Sequence, residues 1–130
     1  MFKLFTTLSE EKTKSISPVT LAFVGDAVYT LYVRERLVAE HDFATGTLQK
    51  LSSSEVSAHG QNILLEKILP VLSEEEIAVY KRGRNAKKPT RSKNATVAEY
   101  NNSTGFEALL GYLYLTGKYG RIDELLSENV

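Results

Sequence analysis

The chain has 130 residues, of which 42% are hydrophobic and 25% charged, the size and composition of one globular domain over residues 1–130. No stretch approaches the roughly 20 apolar residues that cross a bilayer, so a membrane protein is not expected. The lack of cysteine excludes disulfides and thiolate metal sites and suits the cytoplasm, and the net charge of zero argues against a uniformly basic surface.

The first predicted helix is the most apolar part of the chain. Pro18 is typical of a first helical turn, with Ser17 as its N-cap, and the apolar pattern continues to about Glu40. Because apolar residues surround this helix on nearly every side, we expect it to be central and covered by its neighbours. A loop over residues 41–46 leads to a second, amphipathic helix predicted at about residues 47–67.

A third helix is predicted to begin at a capping box. Ser73 supplies the N-cap and Glu76 the third helical position, so that each side chain can bond the backbone of the other residue. The helix runs into a basic stretch and ends before Pro89, which cannot continue it. Residues 88–95 are therefore predicted to form an exposed loop.

Residues 81–93, called here the basic segment, concentrate positive charge. Seven of the 16 lysines and arginines lie there, and no acid interrupts them. Cations at a helix end can simply favour its dipole, but this does not explain Arg91 and Lys93 beyond the proline. The pattern therefore favours binding to a phosphodiester polyanion. The candidate binding residues are Lys81, Arg82, Arg84, Asn85, Lys87, Lys88, Arg91 and Lys93.

A second capping box, formed by Thr96 and Glu99, begins the last long helix. Its apolar pattern continues to Leu115, with a break expected near residues 101–102, and a short final helix follows Gly120. No segment has the alternating pattern of a strand. The predicted fold class is therefore all-α, a helical bundle.

Each of the two most apolar helices carries one carboxylate, Asp26 in the first and Glu107 in the last long one. An ionised carboxylate in an apolar setting is unfavourable unless a cation or hydrogen bonds compensate it. Gly25 adjoins Asp26 and Gly111 lies one turn after Glu107, although a mid-helix glycine costs about 1 kcal/mol relative to alanine. Close approach of the two helices at these glycines would compensate that cost and bring the acids together.

A pair of acids without histidine or cysteine beside it offers only oxygen ligands, which suit Mg²⁺ or Mn²⁺ rather than zinc. Asp26 and Glu107 are therefore the candidate metal ligands. The alternative is that these acids face solvent or form ion pairs with Arg34 or Arg36.

Three segments resemble one family. Residues 23–28, Phe-Val-Gly-Asp-Ala-Val, are similar to the F-L-G-D-A-V core of ribonuclease III, and residues 106–115 resemble its F-E-A-L-I-G-A-I-Y-L segment. Between them, residues 81–87 read Lys-Arg-Gly-Arg-Asn-Ala-Lys and are similar to K-R-G-R-N-A-K of the Mini-III subgroup, which lacks a separate double-stranded-RNA-binding domain. The segments occur in the order that the family has.

The resemblance implies an all-α domain that dimerises and cuts double-stranded RNA, with one Mg²⁺-dependent site per subunit, where Mn²⁺ is expected to substitute. For the Mini-III subgroup it also implies maturation of the 23S ribosomal RNA precursor in bacteria. By motif match, Asp26 and Glu107 take the metal-binding and catalytic carboxylates. The basic segment is then the expected RNA-binding region.

Three positions depart from full-length ribonuclease III, which has acids four and seven residues before the aspartate and three before the glutamate. In this chain those positions are occupied by Ala22, Val19 and Thr104. Fewer carboxylates imply weaker metal binding, or a single ion assisted by oxygens of the RNA.

Two further expectations concern function and assembly. The alternative to an enzyme is a ribonuclease III-like module that holds RNA in ribosome assembly without cutting it, but such a binder gains little from buried acids. The apolar surplus of residues 23–33 exceeds what one small core requires, so we expect this helix at the centre of a homodimer interface. The alternative is that it is the buried axis of a monomer.

Overall fold

The computed structural model describes residues 7–88 and 96–127. Within these two stretches the backbone forms α-helices, one short 3₁₀ helix and no strand, so the prediction of an all-α fold is confirmed. The helices are α1 (Glu10–Lys14), α2 (Pro18–Glu40), α3 (Thr45–Val56), α4 (Ala58–Ile68), α5 (Glu74–Asn85), α6 (Val97–Leu115) and α7 (Tyr119–Leu126), with the 3₁₀ helix at Leu69–Val71. None of the helices in the described stretches is long and apolar enough to cross a membrane.

Local signals place the starts of three helices as predicted. Pro18 begins α2, and the predicted capping boxes begin α5 and α6. The Ser73 hydroxyl accepts a hydrogen bond from the backbone N–H of Glu76 at 3.1 Å, and the Glu76 carboxylate accepts one from the N–H of Ser73 at 2.9 Å. Thr96 and Glu99 form the same reciprocal pair. Such caps satisfy N–H groups that have no partner within the helix, typically for about 1 kcal/mol each.

The single helix predicted at residues 47–67 is wrong, because the chain forms two helices there. α3 ends at Val56, and Ser57 is extended, with its hydroxyl accepting a hydrogen bond from the N–H of Gly60 at 3.0 Å. The corner between α3 and α4 is so tight that a Cβ at Gly60 would overlap the carbonyl oxygen of Ser54. The break depends on this packing, which the helical periodicity of the two halves does not reveal.

α6 continues through residues 101–102 without the expected break. Asparagine side chains often compete with the helix for backbone hydrogen bonds, but Asn102 is engaged with other helices instead. Its amide donates to Oδ1 of Asn62 at 3.0 Å, and its own Oδ1 accepts from the Tyr80 hydroxyl at 3.2 Å. The short helix α1, capped by Ser9, is an addition to the predicted elements.

α2 and α6 form the centre of the fold, and their crossing depends on two glycines. A Cβ at Gly25 would overlap the carbonyl oxygen of Glu107, and a Cβ at Gly111 would overlap the carbonyl oxygen of Leu21. The predicted close approach of the two glycine-bearing helices is therefore confirmed. Because the backbones touch there, the crossing also sets the positions of the acids that the helices carry.

α5 packs against α6 through a second close contact. A Cβ added to Gly83 would lie 2.8 Å from Cβ of Ala108 and 2.9 Å from Cα of Gly105. The core beside it includes Phe106 and Tyr29, whose rings meet edge to face with centroids 5.1 Å apart. This packing holds the start of the basic segment against α6.

The prediction that α2 is covered on every side is wrong. One face of the helix packs against α3, α5 and α6, whereas the opposite face exposes large apolar side chains. Phe23 is 80% exposed, Val38 65% and Leu31 45%. With Ala27 these residues share one helical face, called here the exposed stripe of α2. The helices that the structure describes leave this side of α2 uncovered.

Candidate active site

Asp26 and Glu107 line the same open cavity, which has a volume of about 460 Å³. Its walls include Val19, Ala22 and Asp26 of α2, Thr104 and Glu107 of α6, and Lys88 after α5. We call it the acidic cavity. The structure thus brings the two acids together, as the glycine pattern predicts.

The surroundings of the two acids differ. Asp26 is exposed to solvent, whereas the Glu107 side chain is largely enclosed. The pKa of Glu107 is raised from its ordinary value of 4.5 to about 8, chiefly by burial and in part by the neighbouring Asp26, while a hydrogen bond from Gln61 acts in the opposite direction. The expectation of apolar surroundings is therefore right for Glu107 and wrong for Asp26, whose side of α2 is not covered.

Gln61 contacts the site but is not among the residues predicted from the sequence. It is buried on α4, and its Nε2 donates hydrogen bonds to Oε2 of Glu107 and to the carbonyl oxygen of Val56, both at 3.1 Å. The sequence contains one signal for it. Gln61 stands at helical spacing from Leu64 and Leu65 on the apolar face of α4, where a polar side chain requires a partner.

The arginines offered as alternative partners do not neutralise the two acids. Arg36 forms ion pairs with Glu55 and, at 3.4 Å, with Glu40. In residues 7–88 and 96–127 no ion pair joins Arg34 or Arg36 to either acid of the cavity. The other half of that alternative holds for Asp26, which does face solvent.

The acidic cavity offers two carboxylates to a metal ion. The positions at which the resemblance expects further acids all line this cavity, and they are Val19, Ala22 and Thr104. The carboxylates that this chain lacks relative to full-length ribonuclease III would therefore have belonged to this site. No three histidine, cysteine, aspartate or glutamate side chains converge anywhere in the part of the chain that the structure describes. Two adjacent carboxylates fit one Mg²⁺ or Mn²⁺ ion that keeps several water or phosphate oxygens as further ligands.

The candidate residues of the basic segment do not share one surface. Lys81, Arg84 and Asn85 lie on one face of α5 by their helical spacing. Arg82 instead lines a separate groove with acids from the first turn of α5. Arg91 and Lys93, with most of the predicted loop at residues 88–95, lie outside the described residues.

Lys88 reaches the acidic cavity itself, whereas its neighbour Lys87 is exposed. The Lys88 ammonium donates hydrogen bonds to the carbonyl oxygens of Arg84 at 2.8 Å and of Ala86 at 2.7 Å, near the end of α5. Burial lowers the pKa of Lys88. The cavity therefore combines ligands for a cation with a positive group for a phosphate.

Comparisons with known proteins agree with these features. The family model for the Ribonuclease III domain matches residues 19–118. The chain belongs to the ribonuclease III family. A Mini-ribonuclease 3 of Thermoanaerobacter sp. (strain X514) is 44% identical over 95% of this chain and 87% of its own length, and one of Brevibacillus brevis is 46% identical over 86% and 84%. A crystal structure of a Fusobacterium nucleatum protein has a TM-score of 0.82 and 32% identity, covering 88% of this chain and 93% of that one.

Membership of the ribonuclease III family makes this chain an endoribonuclease, with its resemblance to the Mini-III subgroup confirmed. The three motif segments, residues 23–28, 81–87 and 106–115, all lie within the matched region. The comparisons favour the enzyme over the module that holds RNA without cutting it, since these relatives are named as ribonucleases.

Proposed function

We propose that this endoribonuclease hydrolyses double-stranded RNA at the acidic cavity, with Asp26 and Glu107 as its catalytic carboxylates. The observation that supports the proposal best is the convergence of these acids and of Lys88 on one open cavity. Phosphodiester hydrolysis requires positive charge beside the phosphate, and this cavity combines metal ligands with a cation of its own.

The proposed cofactor is Mg²⁺, with Mn²⁺ as a substitute, held by Asp26 and Glu107. Because Glu107 is enclosed and lies beside Asp26, its charged form is disfavoured in the metal-free protein, and a divalent cation would stabilise that form. When bound, the ion supplies a Lewis acid that activates water and neutralises charge on the leaving oxygen. With only two carboxylates, its affinity without RNA should be low.

The residues of the chain itself orient the reactants. In the hydrolysis, a water oxygen bonds to phosphorus, the bond from phosphorus to the 3′ oxygen breaks, and that oxygen takes up a proton, so the products carry a 3′ hydroxyl and a 5′ phosphate. Glu107 is fixed by Gln61 and by the backbone contact at Gly25. Asp26 faces the open side, from which RNA approaches, and Lys88 pairs with the phosphate as negative charge develops.

The basic segment is proposed to hold the RNA backbone. Lys81, Arg84 and Asn85 would contact phosphates along one face of α5, and the exposed Lys87 would extend that surface toward Lys88 in the cavity. Arg84 lies over the Tyr80 ring, with its guanidinium carbon 5.6 Å from the ring centroid, which restricts the side chain before RNA binds. The charges of Arg91 and Lys93 are expected to add to this attraction.

We further propose a homodimer that uses the exposed stripe of α2 as its interface. Phe23 belongs both to this stripe and to the wall of the acidic cavity, so the interface would adjoin the site. The two strands of a duplex are related by local two-fold axes, and a two-fold dimer with one site per subunit can address both. Burying Phe23, Leu31 and Val38 would also remove their large apolar surface from water.

Light scattering tests this assembly. The expected mass is twice the 14.5 kDa of one chain, and Leu31→Glu should shift it to the monomer because a charge would enter the apolar interface. Leu31 lies outside the wall of the acidic cavity, so the variant separates assembly from chemistry. A wild-type mass near 14.5 kDa together with full activity would refute the dimer.

The natural substrate is proposed to be the 23S ribosomal RNA precursor, in the bacterial cytoplasm, on the basis of the resemblance to the Mini-III subgroup. Cells without the protein should accumulate unprocessed precursor, and an Asp26→Asn copy should fail to restore processing. Normal 23S ends in such cells would contradict this assignment while leaving the duplex-cleaving activity untouched.

Cleavage of a purified duplex tests the activity itself. With Mg²⁺, the protein should cut a perfectly paired RNA and leave a single strand of the same sequence largely intact. EDTA should stop the reaction, and added Mg²⁺ should restore it. Cleavage that continues in EDTA would refute the role of the metal, and equal cleavage of the single strand would refute the substrate class.

A further inference from the structure

Gln61 connects the acidic cavity to the corner between α3 and α4. Its Nε2 bridges Oε2 of Glu107 and the carbonyl oxygen of Val56, the last residue of α3, at 3.1 Å each. The side chain is 2% exposed, so water does not compete for these hydrogen bonds. One amide group thus holds the carboxylate of a proposed metal ligand at a fixed point of the fold.

The backbone around Gln61 leaves this amide little freedom. α4 starts at the extended Ser57, and its first turn is pressed against α3 at Gly60, where a Cβ would overlap the Ser54 carbonyl oxygen. The N–H of Gln61 itself donates to the Ser57 carbonyl at 2.9 Å. A side chain anchored in this way directs its amide at Glu107 without an entropic cost at the time of reaction.

The amide oxygen of Gln61 indicates that this side chain does more than fill space. Its Oε1 is buried and accepts no hydrogen bond from any of the described residues. A buried acceptor without a donor is unfavourable, and methionine or leucine would fill the same space without it. The hydrogen bonds from Nε2 to the Glu107 carboxylate and to the Val56 carbonyl are therefore what distinguishes glutamine from an apolar side chain at this position.

We infer that Gln61 is a positioning residue, which holds one oxygen of Glu107 so that the carboxylate is oriented toward Asp26 and the metal ion. The inference rests on the proposed function, because it needs Glu107 to be a metal ligand. Partners of this kind behind a metal ligand typically change metal affinity by about 10- to 100-fold when removed.

Asn62 provides a matched control on the same helix. Its amide also joins α4 to α6, donating to the carbonyl oxygen of Glu99 at 3.0 Å, but it does not contact Glu107. Replacing Asn62 by leucine removes this hydrogen bond, the one that Asn62 accepts from Asn102 at 3.0 Å and the one that it donates to the Ala58 carbonyl at 2.8 Å. Gln61→Met removes the hydrogen bonds to Glu107 and to the Val56 carbonyl with little change in volume. Both variants therefore lose hydrogen bonds between helices, but only Gln61→Met loses the one to Glu107.

The test measures Mn²⁺ binding to the RNA-free protein, from the electron paramagnetic resonance signal of the free ion, beside single-turnover cleavage against Mg²⁺ concentration. Gln61→Met should weaken Mn²⁺ binding by about tenfold and raise the Mg²⁺ requirement by a similar factor, with most of the rate recovered at saturating Mg²⁺. RNA affinity in EDTA should not change. Asn62→Leu should lower the melting temperature and leave the metal affinity as it is.

Unchanged Mn²⁺ affinity in Gln61→Met, or an equal loss in Asn62→Leu, would overturn the inference. If Gln61→Met fails to fold, nuclear magnetic resonance of the wild-type protein decides, because the side-chain N–H signals of Gln61 should move with Mg²⁺ while those of Asn62 stay. Gln61 signals that do not respond would overturn it as well. A wild-type protein that neither binds Mn²⁺ nor cuts duplex RNA would instead refute the proposed function.

Discussion

Asp26 and Glu107 occupy similar sequence environments, since each lies in an apolar helix with a glycine on or near its face. In the folded chain their surroundings are opposite. Asp26 stands on the open side of α2, beside the exposed stripe, while Glu107 is enclosed and bonded to Gln61. Apolar neighbours along a helix therefore do not decide whether an acid is buried. The face on which it stands, and what covers that face, decide it.

The difference suggests separate roles for the two acids. The enclosed Glu107 is held in place before any ligand arrives and gains most from a cation, because its charge is the one that burial disfavours. The exposed Asp26 is accessible to incoming metal and RNA. Both are needed for chemistry in this view, but the stability of the metal-free protein should depend on Glu107 directly and on Asp26 only through the pKa of Glu107.

The strongest test removes each charge in turn. Asp26→Asn and Glu107→Gln keep the side-chain volume, and each should lower the cleavage rate at least about a hundredfold, because a lost metal ligand removes several kcal/mol of transition-state stabilisation. Single-turnover cleavage of a labelled duplex measures the rate, and circular dichroism checks the fold. Near wild-type cutting by Asp26→Asn would show that the exposed acid is not a ligand.

The next test disturbs the close packing between α2 and α6, the two helices that carry the acids. Gly111→Ala places a Cβ on the carbonyl oxygen of Leu21 and should lower the free energy of unfolding by about 3 kcal/mol or more, because backbone must move to accommodate it. Gly46→Ala and Gly120→Ala are matched controls, since a Cβ there meets nothing within 4 Å. Urea denaturation that finds Gly111→Ala as stable as the controls would contradict the close crossing.

The sequence predicts those parts of the fold that depend on local signals. Pro18 and the capping boxes at Ser73 and Thr96 place three helix starts, because a cap involves residues within one turn. The glycines beside the acids predict the α2–α6 crossing because only close packing explains two of them in apolar helices. The break at Ser57 is not predictable in this way, since it depends on how α4 packs on α3.

The same distinction holds for the candidate site. The pairing of Asp26 with Glu107 follows from the glycine pattern, but the exposure of Asp26 depends on which helices cover α2. Gln61 lies far from Glu107 in sequence, so its contact is visible only in the fold. The separation of Arg82 from Arg84 could have been predicted, because residues two apart on a helix do not share a face.

A smaller effect tests the burial of Glu107 through pH. Burial favours its protonated form, so the folded protein binds this proton more tightly than the unfolded chain, and the pKa rises from 4.5 to about 8. This contribution to stability is complete below pH 4.5 and is lost as the pH rises toward 8. In EDTA, the wild-type protein should therefore lose stability across this range relative to Glu107→Gln.

Thermal unfolding at several pH values measures this difference in stability between the two proteins. The Asp26→Asn variant adds a second comparison. Without the neighbouring negative charge the pKa of Glu107 should fall, so the loss of stability should be smaller in a protein that carries Asp26→Asn. Parallel curves for wild type and Glu107→Gln would show that Glu107 is as well solvated as Asp26.

The smallest expected effect concerns RNA binding outside the acidic cavity. Arg84→Ala should weaken binding to many duplexes alike and lower the slope of log affinity against log salt by about one unit, because one phosphate contact and its released counterion are lost. Arg82→Ala is the matched control, since Arg82 has the same charge but lines a separate groove beside acids of α5. Lys88→Ala should reduce both the slope and the cleavage rate, because Lys88 lines the acidic cavity. Binding is measured with the Asp26→Asn protein, so that RNA is not cut during the salt titration. If Arg82→Ala changed the slope as much as Arg84→Ala, the whole basic segment would attract RNA by its net charge, and the face of α5 would not matter.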